Sequence, residues 1–75
     1  MGLGIIDIWK ISEEADLVTY AFEHEGRAGQ FAINRITGEA TQPVPEFRSV
    51  GHAARHKILT AWRAGELPDR TQWAG

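Results

Sequence analysis

The sequence predicts an α+β fold: a three- or four-stranded antiparallel β-meander followed by one C-terminal α-helix packed on the sheet. Three observations predict it. Residues 17–24 and 30–36 alternate apolar and polar side chains, the period of a half-buried strand. Thr37-Gly38 supplies a reversal directly after the second run, because glycine adopts a positive φ at little cost. Residues 49–64 then carry apolar side chains at helical spacing.

The first strand is expected over Gly4–Ile11. It places Ile6 and Ile8 on one face and Ile5, Trp9 and Ile11 on the other. A strand apolar on both faces is normally covered on both, which one helix cannot do. Ser12–Asp16 is a polar connection. The second strand, Leu17–His24, points Val18, Tyr20 and Phe22 to the core, and Glu25–Gly29 forms a hairpin connection. The third strand, Gln30–Ile36, contributes Phe31 and Ile33, and a short fourth is expected over Glu39–Gln42. Pro43 and Pro45 end it, since neither can donate to a ladder.

Ser49 is the expected N-cap of the helix, Gly65 its C-terminal cap and Pro68 a stop beyond. At 100° per residue Val50, Ala54, Ile58, Ala61 and Trp62 form the stripe that faces the sheet, while His52, His56, Leu59 and Arg63 gather opposite. The tail, 66–75, is polar apart from Leu67 and Trp73, and Trp73 is expected to pack back on the body or on a neighbour. The whole makes a single small domain over 1–75, with the sheet about 4–42, the helix about 49–64 and the tail 66–75.

A domain of 75 residues buries only roughly 60% of its unfolded surface, so its core needs a supplement. The absence of cysteine removes disulfides, thiolate metal sites and thiol catalysis, and fits a reducing, cytoplasmic setting. Asp7 and Lys10 interrupt the apolar start, which reads as neither a secretory leader nor a membrane span. Ile6 stands where a myristoylation motif wants Ser or Thr. The net charge of −2 hides an asymmetry: residues 1–25 carry a local −5 and residues 26–75 a local +3. Phosphate neutralisation calls for a basic field over a whole face, so a polyanion partner is disfavoured.

Chemistry-bearing motifs are few. His52 and His56 lie four apart on the helix, but two ligands do not make a metal site, and Ala53 occupies the place of a general-base Glu. They read as a solvated face, with no metal and no cofactor. His24, between Glu23 and Glu25, reads as a rim histidine at a hairpin. Neither a serine-nucleophile motif nor a phosphate loop in strand–turn–helix context is present.

Tyr20-x-Phe22 followed by Gly29-x-Phe31-x-Ile33-Asn34-x-x-Thr37-Gly38-Glu39 resembles the strand–turn–strand unit of small modules of the PepSY type. The resemblance covers residues 20–39. The order of helix and strands departs from that family, and no function is carried over.

The hydrophobic surplus is the functional clue. Ile5, Trp9, Ile11 and Trp73 exceed what one helix covers, and monomers rarely leave a large apolar patch in water. The reading is a non-enzymatic protein-interaction module, a homodimer or one member of a pair with another protein, with those four residues at the contact. The alternative is a nucleic-acid-binding βββα domain using Arg48, Arg55, Lys57 and Arg63.

Overall fold

A computed structural model describes residues 4–45 and 48–74, with the side chain of Arg48 left out. Its elements are β1 (Ile5–Glu14), β2 (Leu17–His24), β3 (Arg27–Asn34), α1 (Arg48–Arg63) and β4 (Arg70–Ala74). The four strands form one antiparallel sheet in the order β3-β2-β1-β4, and the helix packs on one face of it, as the α+β class requires.

The β2–β3 pairing runs without a slip from Leu17↔Asn34 to His24↔Arg27. Its loop is shorter than the sequence suggests: only Glu25 and Gly26 lie outside the strands. Both have positive φ, +49° and +79°, the backbone of a two-residue type I′ hairpin. β1 pairs with β2 through a bulge between Lys10 and Ser12, with Ile11 at the irregularity. The extra residue keeps Trp9 and Ser12 on one face although they are three apart.

The place of the fourth strand is corrected. Residues 39–44 do run beside β3, but as two isolated bridges, Ile33↔Ala40 and Gln30↔Val44. The register slips by one residue between them, so no continuous ladder forms, and the Ala32 N–H donates to the Thr41 hydroxyl at 2.9 Å. The fourth strand is instead cut from the tail. Arg70–Ala74 pairs with β1 from Ile5↔Ala74 to Trp9↔Arg70, and places Thr71 and Trp73 on the helix side. Only alternating Thr71 and Trp73 are half-buried there.

The core is the layer between sheet and helix. Ile6, Ile8, Val18, Tyr20, Phe22, Phe31 and Ile33 from the sheet meet Val50, Ala54 and Ile58 from α1, all buried. Each of the Val, Ile and Phe side chains among them contributes about 1.5–3 kcal/mol relative to exposure. The Tyr20 and Phe31 rings stack at 6.0 Å, and Phe22 tilts against Phe31 at 6.3 Å. Ala61 and Trp62 extend the predicted stripe half-buried. Leu59, expected on the outer side, packs partly against the core.

The helix ends as predicted at Gly65, whose φ of +85° closes a Schellman motif. The Gly65 N–H donates to the Trp62 carbonyl and the Glu66 N–H to that of Ala61, both at 2.9 Å. No helix among the described residues is long and apolar enough to cross a membrane.

Candidate protein-interaction surface

The two faces of the sheet differ in what covers them. One carries the helix. On the other, strand alternation and the pairing registers place Ile5, Asp7, Trp9, Ser12 and Glu14 of β1 along Glu23, Ala21, Thr19 and Leu17 of β2. Ile5 is 58% and Leu17 50% exposed, and Trp9 is half-buried near the centre. Asp7 stands directly across from Glu23, between Ile5 and Trp9, and Glu14 across from Leu17 at the far end, so acidic and apolar positions alternate along the face. Like charges directly opposite each other cost stability, by roughly 0.2–1 kcal/mol in such pairs. Gln72 offsets part of this by donating from Nε2 to Asp7 Oδ1 at 2.8 Å.

The four residues expected at a contact are therefore split. Ile5 and Trp9 share the open face, and Ile11, 47% exposed, sits at the bulge two residues past Trp9. Trp73 is on the opposite face, across from Ile6, and packs partly on the core. The tail thus packs Trp73 partly on the core, and no other described element covers the open face.

A second polar constellation lies where β1, β2 and the segment before β4 meet. Lys10 Nζ is 2.8 Å from Glu13 Oε1 and 3.2 Å from Asp69 Oδ1, and Arg35 Nη2 stands 3.8 Å from Glu13. The Glu13 carboxylate raises the Lys10 ammonium against its partial burial, and Lys10 in turn holds Glu13 below its usual range. The buried Tyr20 hydroxyl donates to the Pro68 carbonyl at 2.7 Å, tying the core to the entry of β4.

Burial pushes the Tyr20 phenol up to about 12. An unfolded chain ionises its tyrosine near about 10. The folded state therefore holds this proton more tightly, and the stabilisation is complete below about pH 10 and lost as pH rises through about 12. Tyr20 is the single tyrosine of the chain, so phenolate absorbance reports it alone. A titration with its midpoint near 12, coincident with loss of circular dichroism, is the expected result; a reversible midpoint near about 10 in the folded protein would contradict it.

The histidines do not converge. His52 and His56 are exposed on α1, and among the described residues no three His, Cys, Asp or Glu are placed to hold a metal ion. His24 requires a correction: it is buried, 8% exposed, at the end of the core face of β2. Its Nδ1 donates to the Ile5 carbonyl at 3.1 Å, and Nε2 lies 3.6 Å from Glu25 Oε2. The left-handed Glu25 backbone is what brings that carboxylate round, where a straight strand would point it away.

The basic residues are dispersed as well. Arg55 Nη1 reaches the Thr41 carbonyl at 3.4 Å, on the β3 side of the helix. Lys57 lines the groove towards β4, and Arg63 is exposed in the last turn. The Arg48 side chain lies outside what is described. Arg55 and Lys57 thus flank the helix from opposite sides.

No family model, curated protein or solved structure matches this chain.

The chemistry of the surfaces is what remains. A cavity of about 270 Å³ is lined by Arg35, Trp62, Gly65, Glu66 and Leu67, which supply neither a nucleophile nor a histidine. Arg35 Nε beside it is buried without a partner among the described residues, and Trp62 Nε1 already donates to the Arg35 carbonyl at 2.7 Å. What the open face brings together is the Asp7–Glu23 acidic pair between Ile5 and Trp9.

Proposed function

We propose that this chain is a non-enzymatic protein-interaction module whose open sheet face docks a protein presenting an apolar ridge flanked by lysine or arginine. The observation that supports it is the facing pair Asp7 and Glu23 beside exposed Ile5 and half-buried Trp9. A partner cation between those carboxylates relieves their repulsion, and an apolar side chain over Trp9 removes aromatic surface from water. Aromatic anchors near the centre of a patch carry most of the energy of such interfaces. The same carboxylates repel phosphate, which argues against nucleic acid on this face.

The test is selection of a random peptide display library on the immobilised protein. Enriched peptides should pair an apolar residue with neighbouring Lys or Arg, and their binding should weaken with salt. Trp9→Ser and, separately, Asp7→Lys should each lower affinity about tenfold or more. Peptides that bind both variants as well as the wild type would overturn the reading.

A further inference from the structure

The two edges of the sheet are treated differently. At the β3 edge residues 39–44 lie alongside, with the Gln30 N–H donating to Val44 and the Val44 N–H to Gln30 at 3.0 and 2.8 Å. The β4 edge has no neighbour among the described residues. The Lys10 N–H donates to the Asp69 carbonyl at 2.8 Å, which fixes the phase of the β1–β4 ladder. Antiparallel alternation then turns Thr71 and Trp73 towards β1, and the N–H and C=O groups of Arg70, Gln72 and Ala74 outwards. Edges are usually guarded by proline, lysine or a bulge. Residues 70–74 contain no proline or lysine, and their register with β1 has no slip.

Beneath this edge, between β4 and the helix, runs a groove of about 280 Å³. Thr60, Ala61 and Ala64 of α1 form its floor, with Lys57, Pro68 and Thr71 at its margins. The small side chains leave room beside Thr71, and Trp73, two residues on, is only partly buried.

We propose that two copies of this chain pair through β4, antiparallel about a two-fold axis at Gln72, to make one continuous eight-stranded sheet. This register is singled out by hydrogen bonding. Outward-facing residues must meet outward-facing residues, and only centring on Gln72 sets Arg70 against Ala74 and Gln72 against Gln72, using all three. It brings no like charges together, whereas direct Arg70–Arg70 pairing would. It also sets Thr71 across from the partner's Trp73, so that each indole lies beside the small-residue groove of the other copy. A foreign strand satisfies the backbone but not this reciprocal fit. The contact is small, and its expected affinity is micromolar. The pairing is independent of the open face, which it doubles in length rather than covers.

Sedimentation equilibrium over a wide concentration range is the test, with hydrogen exchange as a second readout. The wild type should pass from monomer to dimer, and only the dimer should protect the amides of Arg70, Gln72 and Ala74. Gln72→Pro removes an outward N–H, and Gln72→Lys sets two cations against each other at the axis while keeping a partner for Asp7. Both should weaken the dimer about tenfold or more, with folding checked by the Tyr20 titration. Trp9→Ser should leave dimerisation unchanged, which separates this contact from the open-face reading. A wild type that stays monomeric at millimolar concentration overturns the proposal. So does a dimer indifferent to both Gln72 variants, or protection of these amides only when an unrelated extended peptide is added.

Discussion

Phe22→Ala is expected to destabilise the domain by about 3–5 kcal/mol. That approaches the whole stability of a chain this size, about 4–11 kcal/mol at roughly 0.05–0.15 kcal/mol per residue. The ring is fully buried and cross-strand from both Ile8 and Gly29. A Cβ placed on Gly29 would come within 2.6 Å of Phe22 Cζ, so the aromatic ring lies directly over the glycine backbone. The same ring tip is 3.6 Å from a Cβ built on Gly51 of the helix. Phe22 thus fills the space between hairpin and helix, and its loss leaves a cavity that neither side can close. Urea denaturation measures the effect, and a loss under about 1 kcal/mol would show that the layer relaxes around the gap. Gly29→Ala alone should cost about 1–3 kcal/mol by overpacking. Combined with Phe22→Leu it should cost less than the sum, because the shorter side chain frees the space the new methyl needs.

The second large effect is expected at Gly38. Its φ of +80° disfavours any side chain, by roughly 1–2 kcal/mol. A Cβ there would also stand 2.5 Å from Trp62 Cζ3, against a ring pinned by its bond to the Arg35 carbonyl. Overpacking adds about 1–3 kcal/mol. Gly38→Ala should therefore cost about 2–5 kcal/mol in the same denaturation assay. Gly38→Ala combined with Trp62→Leu separates the two causes. If the second change restores nothing, the backbone conformation alone is responsible.

Much of the fold was legible because β2 and β3 alternate cleanly: Val18, Tyr20, Phe22, Phe31 and Ile33 are all buried where the period places them. The Thr37-Gly38 reversal was equally plain. Asn34 Oδ1 accepts from the N–H groups of Ile36 and Thr37 at 2.8 and 3.0 Å, a side-chain turn written in the residue type. The tail strand was not legible. Five residues with two inward side chains give too short a period to recognise, and what makes Arg70–Ala74 a strand is the free edge of β1, a partner some sixty residues away in sequence. Residues 39–42 looked the better strand because they follow a turn. Pro43, with no N–H to donate, and the slip beside it limit them to bridges.

The site was half legible. Ile5 and Trp9 follow from alternation along β1 alone, whereas Trp73 changes face once its strand is known. The burial of His24 is not legible in the sequence because it depends on Gly4–Ile5 passing over it and on the sharp two-residue hairpin. Neither is visible in the residues around it.

The pairing of β1 with β4 has a consequence for how the chain is made. Among the described strands β1 is made before all the others and its second neighbour, β4, after them, so one side of β1 stays unpaired until β4 has been made. Such distant pairing slows folding, because a long loop must close before the contact rewards it. Until Arg70–Ala74 emerges, the backbone edge beside Ile6 and Ile8 is open to any other nascent strand. The helix precedes β4 in the chain and can already shield the side chains of β1, but only β4 seals its backbone.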